Sequence, residues 1–185
     1  MVFLDVIFVA VLAGLCLGGR LSNLARLELR GVRLLYGAIA LQLVAFPSGL
    51  LPWETNDVLA RAIWLASYGL LATAGYLNRS IRGVTGITAG MTLNVAAILA
   101  NGGHMPTTLA ALAATHRSYH VRNNSISLAK PHLEALVDKW AAPAWLPLAN
   151  VYSVGDITIG VGLLVAIVWA MGPRLLAPRA APAAS

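Results

Sequence analysis

Apolar residues along this chain fall in five long blocks, roughly Val2–Gly19, Val32–Pro52, Val58–Leu77, Val84–Ala100 and Tyr152–Met171. A hydrocarbon core about 30 Å thick takes about 20 helical residues to cross, and lipid obliges each crossing segment to satisfy its own backbone hydrogen bonds. The pattern predicts an all-α integral membrane bundle of five transmembrane helices, residues 1–172. One long extracytoplasmic loop, 101–151, joins the fourth span to the fifth. A flexible Ala- and Pro-rich cytoplasmic tail, 173–185, ends the chain.

Shorter periodicities add detail. Asn23–Arg30 is an amphipathic stretch expected to lie at the interface, its arginines on anionic headgroups. In the loop, Thr107–Thr115 predicts a short helix. Pro131–Trp140 carries apolar residues at 133, 136, 137 and 140, a helical period with a charged opposite face. Ala141–Pro147, with Pro143, Trp145 and Pro147, is expected to run extended along the outer surface. Pro47, Gly49 and Pro52 predict an irregular outer end to the second span, followed by Trp53 at the interface.

Composition agrees: 58% hydrophobic and 11% charged residues with a mean hydropathy of +0.75 fit no ordinary soluble domain. The first block lacks a basic leader, carries Asp5 and is followed by Arg20, which reads as an uncleaved helix. Cys16 lies inside it, so no intramolecular disulfide can form. The net charge of +6 is distributed as in a membrane protein, so no nucleic-acid partner is expected. Arg20, Arg26, Arg30, Arg33, Arg79, Arg82, Arg174 and Arg179 all fall on one side of alternating spans. The positive-inside rule then puts the N-terminus outside and the C-terminus in the cytoplasm.

Ionisable groups inside a span cost at least about 2.5–3.5 kcal/mol at the helix centre, so each needs a reason. Asp5, Arg61 and Asp156 are the ones to explain, all about one turn from the outer boundary. Small and polar residues form stripes at helical spacing: Gly83, Gly90, Asn94, Ala97 and Asn101 in the fourth span, Ala38, Gln42, Ala45 and Gly49 in the second. Arg61, Trp64 and Tyr68 share a face of the third, and Asp156 shares one with Gly160. Gly14 with Gly18, and Gly86 with Gly90, have helix-packing spacing. These stripes predict a ligand site near the outer leaflet built from Asp156, Asn94, Asn101, His104, Gln42 and Arg61. Equally, they are compatible with plain interhelical hydrogen bonding. Asn150 or Ser153 is positioned to cap the fifth span, with Asp156 in its first turn.

Other chemistry is thin. His116 and His120 are one helical turn apart, compatible with a metal, but neither a Cys nor an HExxH pattern accompanies them. No metal or cofactor is assigned. Neither a GxSxG elbow nor a Walker loop nor a dinucleotide fingerprint occurs. The chain reads as a non-enzymatic transporter-like or ligand-binding subunit. Its expected partners are membrane lipids, with a membrane-protein partner or a second copy as further options. An enzyme acting on a lipid-linked substrate, with Asp156 and His104 as acid and base, is one alternative; a structural subunit is another.

The order of features resembles an uncharacterised bacterial family of small integral membrane proteins. The residues that carry the likeness are Leu21–Arg30, then Leu93-Asn94 ahead of Asn101-Gly102-Gly103-x-Met105-Pro106, and finally Asn150-x-Tyr152-Ser153-x-Gly155-Asp156. The resemblance implies a bacterial plasma membrane and brings no activity, cofactor or catalytic residue with it.

Overall fold

A computed structural model describes residues 3–46, 57–114, 125–142 and 151–176. Helix dominates: α1 (Leu4–Cys16), α2 (Leu21–Leu24), α3 (Val32–Ala45), α4 (Asp57–Leu77), α5 (Val84–Ala100), α6 (Leu109–Ala114) and α7 (Val154–Ala170). Four short strands accompany them: β1 (Met105–Thr108), β2 (Ser125–Leu128), β3 (Trp140–Ala141) and β4 (Val151–Tyr152). Among the described helices, only α4 is both long and apolar enough to cross a membrane, over Val58–Leu77. The other apolar helices are shorter: 13 residues in α1, 14 in α3, and 17 each in α5 and α7.

The long helices pack in the spatial order α1–α7–α5–α4–α3, which is not their order in the chain. Contacts at their ends fix the directions. Asn78, at the end of α4, donates from Nδ2 to the Arg30 carbonyl and accepts from the Arg30 amide, each at 2.8 Å. That clamp ties the last turn of α4 to the entry of α3, so the two run antiparallel. The Met171 carbonyl, just past α7, accepts from Asn23 Nδ2 and from the Arg20 amide, both at 2.8 Å. The exits of α1 and α7 therefore lie together, and those helices run parallel. Arg20, Arg30, Arg79, Arg82 and Arg174 belong to this end of the bundle. Arg82 lies 3.7 Å over the Trp169 ring and Arg79 lies 4.2 Å over Tyr76, stacking that holds guanidinium groups against helix ends.

Small residues set the closest seam, between α5 and α7. A methyl group built on Gly86 would stand 3.3 Å from Gly162 Cα, and one on Gly162 would stand 2.6 Å from the Ile87 nitrogen. Gly90 meets Gly155 and Ile159 in the same way. With no side chain between them, the two backbones gain dispersion contact along their length. On the far side of α5, Trp64 anchors a cluster of Ala45, Ala60, Ala97, Ile98 and Met105. Phe46 and Tyr68 meet the Trp64 ring edge-on at 5.9 and 5.3 Å.

The loop differs from its prediction. Pro131–Trp140 is not a helix: it makes one 3-10 turn, Glu134–Leu136, entered through Leu133 in the left-handed region at φ 52°. Val137 then extends, with no exposure, and Trp140–Ala141 pairs antiparallel with Val151–Tyr152. Thr107–Thr115 splits, Met105–Thr108 forming a strand parallel to Ser125–Leu128 before α6 begins. Burying Val137, in the extended segment whose next residue bridges to β1, outweighed the local helical period, which would have spent that side chain on one face of an isolated ten-residue helix. The fold is thus mostly helical with a small β element, not purely α. Of the amphipathic Asn23–Arg30 stretch, likewise, only Asn23 and Leu24 are helical, at the end of α2. Arg174–Leu176, at the start of the predicted tail, forms a 3-10 turn whose Leu175 amide donates to the Leu17 carbonyl at 3.2 Å. Residues 177–185 lie outside the described chain, as do Pro47, Gly49, Pro52, Trp53, Pro143, Trp145, Pro147 and Asn150.

Candidate functional site

The loop end of the bundle is organised around the start of α7. Ser153 is extended at φ −97° and ψ 169°, fully buried, and caps the helix. Its Oγ accepts from the Asp156 amide at 3.0 Å, while Asp156 Oδ2 accepts from the Ser153 amide at 3.1 Å. This reciprocal box satisfies two of the amides that every helix N-terminus leaves open. Asn94 of α5 completes a closed circuit across the glycine seam. Its Nδ2 donates to Asp156 Oδ1 at 2.9 Å, and its Oδ1 accepts from Ser153 Oγ at 2.8 Å. Gly155 is required here, because a methyl group at that position would occupy the space of Asn94 Oδ1.

The other predicted residues are placed separately. Asn101 holds the loop, accepting from the His132 amide at 2.9 Å and donating to the His132 carbonyl at 2.9 Å. Arg61 does not turn to Asp156; its Nη1 is 3.2 Å from His104 Nε2, and its stem lies on Gly103. Gln42 donates to Ser67 Oγ at 3.1 Å, on the α3–α4 side. The six residues therefore form an Asp156–Asn94 pair, an Arg61–His104 pair, a loop clamp and a helix–helix contact, rather than one pocket. Asp156 and His104 are each committed to different partners. Among the described residues no three His, Cys, Asp or Glu side chains gather as a metal site, and His116 and His120 lie outside those residues.

Two features were not singled out from the sequence. Asp138, in the loop, is bridged backbone to backbone with β1: its amide donates to the Pro106 carbonyl and its carbonyl accepts from the Thr108 amide, both at 3.0 Å. Its Oδ1 and the neighbouring Thr107 Oγ1 are buried without a hydrogen-bond partner. Burial, helped by the negative charge of Asp156, pushes the Asp138 carboxyl up to about 7. The helical period had put Asp138 on a solvated face, which is why it went unmarked.

The second feature is a groove of about 420 Å³ between α1 and α7. Its walls are apolar, with Val6 and Val9 of α1 facing Ile157, Val161 and Leu164 of α7 across Gly160. Asp5, Tyr152 and Asp156 also line it but turn almost no polar surface into it. The sequence put Asp5 and Asp156 at the same depth in their spans, but gave no signal that the first and last long helices are neighbours.

Residues 26–168, from the α2–α3 connection almost to the end of α7, match the family of unknown function DUF5317. The chain belongs to that family. No curated protein and no solved structure matches it. The DUF5317 match spans the Asp156–Ser153–Asn94 circuit and the loop, but stops short of the arginine-rich exit of α7 and begins after α1. One wall of the groove, α1, thus lies outside the matched region.

Proposed function

We propose that this protein is a non-enzymatic, multi-pass protein of the bacterial plasma membrane that binds a small amphiphile in the groove between α1 and α7. The groove is the observation that carries the reading: about 420 Å³ with apolar walls that suit the hydrocarbon part of such a molecule. In this reading α1, α3, α4, α5 and α7 are the five spans, and loop 101–151 covers their outer ends.

Exposed side chains support the membrane setting. Phe8 is 65% exposed, Ile39 54% and Val161 58%, and each lies on a helix with few charges. Leaving such a side chain in water forgoes about 1.5–3 kcal/mol relative to an apolar setting, and many are exposed together. The shorter helices rise about 1.5 Å per residue and fall below a full bilayer thickness, which local thinning and flanking apolar turns accommodate. The arginines at the α1, α4 and α7 exits face the cytoplasm under the positive-inside rule.

Orientation has a direct check. Ser125→Cys and Ala183→Cys, each in a Cys16→Ala background, are expected to label oppositely with an impermeant thiol reagent on intact cells. Position 125 should react and 183 should not; the reverse pattern overturns the topology. Occupancy of the groove is tested by native mass spectrometry of protein extracted in a mild uncharged detergent. The wild-type chain should retain a small amphiphile, and Val161→Trp, which puts an indole into the groove from an exposed position, should not. Retention by both chains, or by neither, removes the ligand-binding reading.

A further inference from the structure

Arg20, Arg26, Arg30, Arg33, Arg79, Arg82 and Arg174 gather at the end of the bundle away from the loop, and all of them are exposed. Glu28 is the one acid in the segments that form this end, residues 17–33, 78–83 and 171–176. Among the described residues, none of these arginines is in an ion pair. Every basic residue here is an arginine, whereas Lys130 and Lys139, the lysines of the chain, lie in the loop. Positive charge alone would be served as well by lysine. A guanidinium adds a flat fork of N–H donors that grips two oxygens of one phosphate.

Two of these forks are held in place by aromatic rings. Arg82 Cζ rests 3.7 Å from the centre of the Trp169 ring, and Arg79 Cζ 4.2 Å from that of Tyr76. Arg79 Nη1 also donates to the Tyr76 carbonyl at 2.9 Å. A ring under a guanidinium takes up its face and leaves the donors at its edge. Arg82 donates to nothing among the described residues. Side chains fixed in advance lose less freedom when a ligand arrives.

The rings also indicate what the ligand is. Tyr76 and Trp169 lie in the last turns of α4 and α7 and are 63% and 37% exposed, with Leu77 exposed next to Tyr76. A phosphate on Arg79 or Arg82 therefore stands at the rim of the apolar flank of the bundle. A free phosphate would use the forks and leave that flank bare. A phospholipid uses both. A choline or ethanolamine head would add a cation to an end already rich in them, so an anionic head is favoured.

We infer that the connection between α4 and α5 is a binding site for an anionic phospholipid, its phosphate on the guanidinium edges of Arg79 and Arg82 and its acyl chains along the apolar flank beside Tyr76 and Trp169. This rests on the membrane placement proposed above, and the site is separate from the α1–α7 groove.

The experiment places the full-length protein in phosphatidylcholine nanodiscs with trace spin-labelled phosphatidylglycerol or phosphatidylcholine. Electron paramagnetic resonance reads the fraction of each that the protein immobilises. Phosphatidylglycerol should associate at least about threefold more tightly, the gain expected of one surface charge contact. Arg82→Gln should remove most of that preference. Arg82→Lys should restore less than half of it, because lysine returns the charge without the fork. Arg33→Gln removes the same charge from a residue with no ring contact among the described residues, and should leave the preference nearly intact. Inorganic phosphate should displace no more lipid than chloride does at equal ionic strength.

Equal association of the two lipids with the wild-type chain overturns the inference. So does an Arg82→Lys chain as selective as wild type, or an equal loss from Arg33→Gln and Arg82→Gln, since either outcome means a diffuse positive field. Displacement by phosphate beyond that by chloride makes the site one for a soluble anion and overturns it too. The membrane reading fails separately, if neither lipid shows an immobilised component beside the wild-type chain.

Discussion

Gly162→Val is expected to unfold the bundle or lower its stability by about 3 kcal/mol or more, at the top of the usual range for overpacking. A methyl group at this position stands 2.6 Å from the Ile87 nitrogen, 2.7 Å from the Gly83 oxygen and 3.0 Å from the Gly86 carbonyl carbon. All three are backbone atoms, so no flexible side chain can swing away, and α5 and α7 must separate along their seam. Separation also breaks the Asn94–Asp156 and Ser153–Asn94 hydrogen bonds, since these side chains meet only at that distance. The control is Gly69→Ala, on α4, where an added methyl group has nothing within 4 Å. It should be neutral or stabilising by up to about 1 kcal/mol. Thermal unfolding of both variants in the same detergent decides the matter. A Gly162→Val midpoint equal to that of Gly69→Ala would mean that the seam is not closed as described.

Stability is expected to fall as pH rises from about 4 to about 7, the opposite of the usual carboxylate behaviour. Asp138 is held up at about 7 in the folded chain against 3.8 for a free carboxyl, chiefly by burial and secondarily by the charge of Asp156. Between those values the folded state binds more protons than the unfolded one, so the slope of stability against pH is negative. The full stabilisation is present below about pH 4 and is lost as pH passes through the folded value near 7. Its size is on the order of 4–5 kcal/mol, since each pH unit between the two values contributes about 1.4 kcal/mol. The neutral carboxyl is what suits the site: Asp138 Oδ1 and Thr107 Oγ1 are both buried without partners, and ionising the carboxyl leaves a bare charge there. Asp138→Asn should keep the docked loop and remove this pH dependence. Unfolding midpoints at about pH 5 and about pH 8, for wild type and Asp138→Asn, give the comparison. The amides of Thr108, Asp138 and Lys139, which bond to Asp138, Pro106 and Tyr152, report local release of the loop. Equal midpoints at the two pH values in the wild type would show that Asp138 is ionised throughout and better solvated than its burial implies.

The residues legible from sequence were those whose placement follows from the helix they sit on. Gly90, Asn94 and Ala97 are buried on one face of α5, as their spacing required, because a helix turns its residues through a fixed angle whatever surrounds it. Ser153 caps α7, and Asp156 lies in its first turn, because an exposed amide at a helix start needs an acceptor within three residues. Asn101, expected at the same outer site, serves the loop instead, both ends of its amide holding the His132 backbone 31 residues away. Nothing in its neighbourhood in the chain names that partner.

The sequence by itself determined the apolar blocks, the side of the bundle on which the arginines gather and the polar side chains that had to find partners. These properties are set by composition and by period, over distances of a few turns. Only the tertiary structure decided that α1 lies against α7 rather than α3, that Arg61 meets His104 rather than Asp156, and that Asp138 is buried in an extended segment. Each of those outcomes depends on which surfaces of distant segments fit. The close approach allowed by Gly83, Gly86, Gly90, Gly155 and Gly162 fixes α5 on α7, and that seam leaves the opposite side of α7 for α1 and for the groove between them. In the loop, full burial of Val137 against the bundle end outweighed a helical period that could have been expressed only in isolation, so Asp138 was carried inward with it.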